Sequence, residues 1–271
     1  MRIGSYCHGM PGLVAITREV SPSIGACEVR YIDRQPIDVA RAIDQHRRYV
    51  ACLTELGAAV VTLPALPDLP DAVFVEDPAV VVDEVAVVTR MGAASRRAEA
   101  QSLADALASY RPLRWIDGPG TLEGGDVLQA GRTLFVGLSH RTNPVGIGQL
   151  AAYLTPLGYH VKPVPLRHCL HLKTAACYLG SRTILANPEW VDVAQLEGCR
   201  VVEIAEPFAA NVLKVGDTVI MPDCFPETRA IVEGLGWNVR ALDVSELMKA
   251  EAGVTCMSLV FTAQPGTTRP S

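Results

Sequence analysis

The chain has 271 residues, 49% of them hydrophobic and 20% charged, the balance of an ordinary globular protein rather than a disordered one. No apolar run reaches the length of a membrane span and no basic leader precedes an apolar segment, so export and membrane insertion are not expected. The formal charge is −5, from 24 basic and 29 acidic residues with no basic cluster beyond pairs such as Arg47-Arg48, which argues against a nucleic-acid surface and for a small, cationic substrate.

Taken in chain order, the predicted elements repeat one unit: an amphipathic helix, a short strand, then two strands joined by a tight turn. The first helix is IDVARAIDQHRRYVACLTEL, with Ile37, Ala40, Ile43, Tyr49, Val50 and Leu53 on one face and Gly57 to stop it. The strand AVVTLP follows, then FVEDPAVVVDEVAVVTRMG, a hairpin turning at Asp83-Glu84. Next come the helix SRRAEAQSLADALASY, the strand LRWID, and the hairpin LEGGDVLQAGRTLFVGLSHRTN with Ala130-Gly131 at its turn. GIGQLAAYLTPLG, HVKPVP and HLKTAACYLGSRTILANP repeat the pattern and turn at Gly180-Ser181. A weak helix, WVDVAQLEG, precedes RVVEIAEP and NVLKVGDTVIMPD, which turns at Gly216-Asp217. TRAIVEGLG, WNVRALD and the strand CMSLVFTA end the series. That strand lacks a following partner, and GLVAITREV at the other end of the chain can supply one.

The hairpins begin at Asp77, Asp126, Thr174, Asn211 and Cys256, about 45 residues apart on average. Five such units, the last closed by the N-terminal strand and without polar capping repeats, predict a ring rather than an open solenoid. An ordinary α/β sheet would alternate strands singly with helices, whereas here strands come in threes. The fold class is therefore α/β, one ring-shaped domain over residues 1–271.

In such a ring the hairpin starts point toward a common centre. They carry Glu76-Asp77, Glu123-Gly124-Gly125-Asp126, His171-Leu172-Lys173-Thr174, Ala210-Asn211 and Thr255-Cys256. Each residue alone has a structural explanation: turn and cap acids, a packed histidine, a core thiol. Their recurrence at one position of five repeats favours a site. A thiol beside a cation is a nucleophile, and a histidine can move its protons. Carboxylates in the same pocket would repel an acyl oxyanion but suit a planar cation with forked donors. The set thus reads as thiol attack on an amidinium or guanidinium carbon.

Eight cysteines, none in a CxxC pair, read as reduced thiols rather than a disulfide scaffold, and Cys52, Cys177 and Cys199 as core residues. The nearest approach to a metal cluster is His168-Cys169-x-His171, with Cys7-His8 distant in sequence, and no native metal is expected.

The strings DAVFVEDPAVV, TRMGAASRRAE, TLEGGDVL, FVGLSHRTN, LHLKT and GVTCMSL, in that order, resemble the dimethylarginine dimethylaminohydrolase family, as do ITREVSPSIG and DVARAIDQHRRYV near the start. The resemblance spans nearly the whole chain. It implies the pentein fold, a five-bladed pseudo-symmetric α/β propeller. It also implies hydrolysis of Nω-methylated arginine to L-citrulline and an alkylamine through a covalent thiouronium, with no cofactor. Carried over by motif, Cys256 falls on the nucleophile, His171 on the acid/base and Glu123 on its acid partner. Asp77 falls on the carboxylate that holds the guanidinium, Asp71 and Glu76 on further pocket acids, Arg96 and Arg141 on the pair binding the α-carboxylate, and Val29 on a main-chain carbonyl near the substrate amine. Pro78 after Asp77 departs from the pattern; it removes a backbone donor but leaves the carboxylate. The expected partner is a small guanidino amino acid, with no nucleic acid and no membrane; a homodimer is left open, and the expected compartment is the cytoplasm. A hydrolase of free arginine or another guanidino compound is the alternative on the same fold. A non-catalytic ring protein would have no reason to keep thiol, histidine and acid together.

Overall fold

The computed structural model of the protein describes residues 12–264. The valine-rich segments form strands and the intervening amphipathic segments form helices. β1 (Leu13–Arg18), α1 (Val39–Glu55) and β2 (Ala59–Leu63) come first. Next are β3 (Ala79–Val81), β4 (Ala86–Val88), α2 (Ala100–Leu107) and β5 (Leu113–Trp115), then β6 (Val127–Ala130), β7 (Thr133–Leu138), α3 (Pro144–Leu154) and β8 (His160–Pro165). A helical turn α4 (Leu172–Ala175) leads into β9 (Ala176–Gly180), β10 (Thr183–Ala186) and β11 (Arg200–Glu203). β12 (Leu213–Val215), β13 (Thr218–Pro222), α5 (Pro226–Gly234), β14 (Asn238–Leu242), α6 (Ser245–Met248) and β15 (Leu259–Thr262) complete the order.

These strands make five three-stranded sheets of one design: β15-β1-β2, β3-β4-β5, β6-β7-β8, β9-β10-β11 and β12-β13-β14. In each, the first two strands are antiparallel and the second and third parallel. A parallel third strand needs a crossover, and α1, α2, α3 and α5 provide it in four units. β15 pairs with β1 through Leu13–Thr262 and Ile16–Leu259, so the two ends of the chain build one blade together. Hydrophobic packing is divided into wedges between neighbouring blades. One wedge joins Val80 and Val87 to Val127, Leu134 and Leu150; another joins Cys177 and Leu185 to Val212 and Val219. Among the described residues, no helix is long and apolar enough to cross a membrane.

The local readings differ in four places. WVDVAQLEG yields only a 3-10 turn, Val193–Gln195, capped by the Asp192 side chain accepting from the Ala194 amide, so the fourth crossover has no α-helix. SRR lies in a 3-10 turn, Ala94–Glu99, ahead of α2. LHLKT forms the turn α4 rather than the start of a strand. The buried face of α1 is Ala42, Gln45, His46, Tyr49, Cys52 and Leu53, with Ala40 exposed. Two polar members of this face find partners, Tyr49 Oη bonding Ser258 Oγ at 2.7 Å and Gln45 Oε1 accepting from the Glu246 amide at 2.9 Å, while burial holds His46 neutral with its pKa lowered to about 4.

Candidate active site

The five positions Asp77, Asp126, Thr174, Asn211 and Cys256 lie one to three residues ahead of their strands, in turns at one end of the ring. Hydrogen bonds link each turn to the next around the circle. Asp77 accepts from the Gly124 amide at its carbonyl (2.8 Å) and from the Gly125 amide at Oδ1 (3.0 Å). Asp126 Oδ1 accepts from the Leu172 amide at 3.0 Å. Asn211 donates to the Lys173 carbonyl (3.2 Å) and Thr255 Oγ1 (3.0 Å) and accepts from the Thr255 amide (3.0 Å). The Glu76 amide then donates to the Cys256 carbonyl at 3.2 Å and closes the circle. Gly125 packs directly on the cluster: a Cβ there would lie 2.6 Å from His171 Nδ1 and 2.7 Å from Asp77 Oδ1, so the close approach requires glycine.

His171, 4% exposed, bonds Glu123 Oε2 through Nε2 at 2.8 Å. Its Nδ1 lies 3.8 Å from Asp77 Oδ1, beyond hydrogen-bond reach. Burial works against its charge, but Asp77, Asp126 and Glu123 outweigh that and raise its pKa to about 9. Asp77 is pushed up by burial and pulled further down by His171 and Arg96, to about 2. Glu123 is likewise held below its ordinary value, burial being outweighed by His171. Around neutral pH the centre therefore holds a cationic imidazolium between two carboxylates.

Cys256 is half-buried, and its Sγ accepts from the Gly253 amide at 3.4 Å. Burial, then the charges of Glu76 and Asp77, push the thiol well above its ordinary range. Glu76 is pinned from two sides: Lys173 Nζ at 2.6 Å and Thr255 Oγ1 at 2.8 Å. Burial raises its pKa, with Lys173 opposing. Asp71, its pKa also raised by burial, accepts from the Glu28 amide at 3.1 Å. Val29 is next in that loop and packs on the same apolar cluster as Cys256.

The two arginines are placed differently. Arg141 makes one long contact to Glu123 Oε1 at 3.4 Å. Arg96 is 4% exposed and engaged with protein acceptors at every nitrogen. Nη1 bonds Asp77 Oδ2 at 2.7 Å, Nε bonds Glu99 Oε1 at 3.0 Å, and Nη2 bonds Glu99 Oε2 at 2.9 Å with longer contacts to the Asp71 and Phe74 carbonyls. Of the pair expected at the α-carboxylate, Arg96 is thus held by buried carboxylates and Arg141 has a single long ion-pair contact.

Among the described residues, one trio has metal-like spacing: Asp77, Glu123 and His171, with ligand atoms within 4.8 Å of one another. Arg96 and Arg141 already neutralise its two carboxylates, which makes it an ion-pair network. Cys169 is buried and not part of this trio, its thiol raised to about 12 by burial and donating to the His171 carbonyl at 3.5 Å. Cys7 and His8 lie outside the described residues. Residues that sequence reasoning missed are Glu99, Lys173 as the partner of Glu76, and Glu251, whose carboxylate accepts from the Arg30 and Tyr31 amides. Lys173 had a legible signal, since it sits in the same recurring turn as His171.

Residues 62–196 match the arginine deiminase family model. The dimethylarginine dimethylaminohydrolase of Pseudomonas aeruginosa is 38% identical over 228 residues, covering 83% of this chain and 90% of that protein. The enzyme of the same name from Streptomyces coelicolor is 37% identical over 252 residues, covering 92% and 97%. The structure of a cysteine-to-serine variant of the Pseudomonas aeruginosa enzyme complexed with citrulline superposes with a TM-score of 0.87 at 33% identity, covering 93% of this chain and 100% of that one. The five repeated sheets are thus the blades of the pentein propeller, and the chain belongs to the dimethylarginine dimethylaminohydrolase family.

Proposed function

We propose that this protein hydrolyses Nω-methylated arginine to L-citrulline and methylamine or dimethylamine, with Cys256 as nucleophile. The observation that carries the reading is one bonded circle of turns that holds the Cys256 segment, through the Glu76 amide, next to Glu76 and Asp77 and carries His171 paired to Glu123 in the same network. Two carboxylates beside a thiol suppress its ionisation until a cation arrives between them. A bound guanidinium offsets their charge, lowers the thiol pKa and places its own electrophilic carbon by the sulfur.

As the guanidinium binds, the thiol releases its proton to solvent; the thiolate forms an S–C bond to the guanidinium carbon, and the C–N bond to the methylated nitrogen breaks. His171 gives that nitrogen its proton from Nδ1, since Nε2 is committed to Glu123, and the amine leaves neutral. The resulting thiouronium is attacked by water, whose proton passes to the now neutral His171. Collapse breaks the S–C bond, returns the thiolate and frees the ureido group of citrulline, whose remaining hydroxyl proton passes to solvent. Asp77, oriented by Gly125 and Arg96, serves the guanidinium, while Glu76 and Asp71 shape the pocket beside it. Arg141 faces the α-carboxylate, and the Val29 carbonyl the α-amine. No cofactor is called for, because the substrate carries its own activating charge. The seven cysteines among the described residues are free thiols, which supports a reducing compartment such as the cytoplasm.

Citrulline formation from asymmetric dimethylarginine, monomethylarginine, arginine and agmatine, measured side by side, tests the reading. Turnover of the methylated arginines above the others is expected. A preference for arginine would make the protein a deiminase on the same scaffold.

A further inference from the structure

We infer that Glu251 is a positioning residue for substrate selectivity: its carboxylate fixes the direction of the Val29 carbonyl by holding the amide of the same peptide unit. Glu251 is 8% exposed and has a φ of 60°, a left-handed conformation that a residue with a long side chain adopts only when its surroundings compel it. It lies five residues before Cys256, just after α6. Its Oε2 accepts from the Arg30 amide at 2.8 Å, and its Oε1 and Oε2 accept from the Tyr31 amide at 3.2 and 3.3 Å.

The peptide plane turns this contact into a consequence at the pocket. The N–H of Arg30 and the C=O of Val29 belong to one trans peptide and point in opposite directions. A carboxylate gripping the N–H therefore aims the carbonyl away from Glu251, without touching the substrate itself. Residues 27–38 contain no helix or strand, so no ladder does this job. Other ties of the loop include the Glu28 amide to Asp71, Ser95 Oγ to Glu28 Oε1 at 2.6 Å, Arg30 Nη2 to His140 Nε2 at 3.2 Å, Arg34 Nη2 to the Cys27 carbonyl, the Asp38 amide to Glu246 and Lys249 Nζ to the Pro36 carbonyl. None of them holds the Val29–Arg30 peptide. His140 adjoins Arg141, so the loop spans from the segment of the thiol to that of the expected carboxylate-binding arginine.

The inference rests on the proposed activity for its kinetic part, but its structural part can be read independently. Glu251→Gln keeps one acceptor oxygen and loses the charge; Glu251→Gly loses both but relaxes the backbone, so one variant folds even where the other strains. By hydrogen exchange, the Arg30 and Tyr31 amides should exchange roughly tenfold faster in Glu251→Gln and faster still in Glu251→Gly, with the Glu28 amide little changed. Kinetically, KM for dimethylarginine should rise about tenfold in Glu251→Gln with kcat within about threefold, while the des-amino analogue of the same substrate should show no change in KM. Unaltered exchange at Arg30 and Tyr31, or equal losses on substrates with and without the α-amine, overturns the role. Wild-type protein inactive on dimethylarginine would instead overturn the proposed activity and leave the exchange test to decide the latch.

Discussion

The two ends of the pocket are built to different standards. At the guanidinium end, Asp77 takes the Gly124 and Gly125 amides and Arg96, Glu123 takes His171 and the Gly92 amide, and Glu76 takes Lys173 and Thr255. Each of these three carboxylates has at least two donors, in turns that are bonded to one another around the ring. At the amino-acid end, Arg141 has one contact at 3.4 Å, and an irregular loop carries Val29. The chemistry is over-determined because charges must keep their positions as bonds change. In the proposed reading, recognition at the amino-acid end is looser because that end must admit and release the substrate. Mutations should therefore separate into those that stop catalysis for every guanidine and those that change only which guanidine is preferred.

The largest effect is expected at the nucleophile. Cys256→Ser should lower kcat by more than about a thousandfold, since a serine hydroxyl is not ionised at neutral pH, while dimethylarginine binding survives. Calorimetry would check the second half; loss of binding would place Cys256 in recognition rather than chemistry. Next, Glu123→Gln should reduce kcat/KM about a hundredfold. It removes one of the charges holding His171 near 9, so the descending limb of the pH profile should move to lower pH. An unmoved limb would mean that another group donates the proton.

The arginines sharpen the contrast. Arg141→Ala should cost about thirtyfold or more in kcat/KM for dimethylarginine and leave agmatine, which has no carboxylate, nearly unaffected. Arg96→Ala leaves Asp77 and Glu99 buried without their cation, which costs about 3–5 kcal/mol and lowers Tm by roughly 10 °C, with both substrates losing activity together. Identical substrate profiles for the two variants would erase the distinction between the pocket's ends. The smallest effect concerns pH and stability. His171 has a folded pKa raised from 6.5 to about 9, so its contribution is complete below 6.5 and is lost as pH rises through 9. The difference in Tm between wild type and His171→Gln should shrink between pH 6 and pH 9.5; a constant difference would show that His171 is not charged in the fold.

Hydrophobic periodicity and turn residues, by themselves, determined the five-fold repeat and the closing of the ring by both chain ends. These are local consequences of side-chain alternation and of positions such as Gly131 and Gly216, where a positive φ makes the turn. The recurrence of thiol, histidine and acid at one place in the repeat was equally legible, because a repeat maps sequence position onto radius. The partners were decided only in three dimensions. Nothing local distinguishes Arg96, which is claimed by Asp77 and Glu99, from Arg141, which reaches only Glu123 at 3.4 Å, since which carboxylates surround a guanidinium depends on how separate turns meet. The same holds for the buried polar face of α1 and for Glu251, 221 residues from the Arg30 amide that it accepts. A side chain's burial and charge state follow from the groups packed around it, and those groups come from distant segments of the chain.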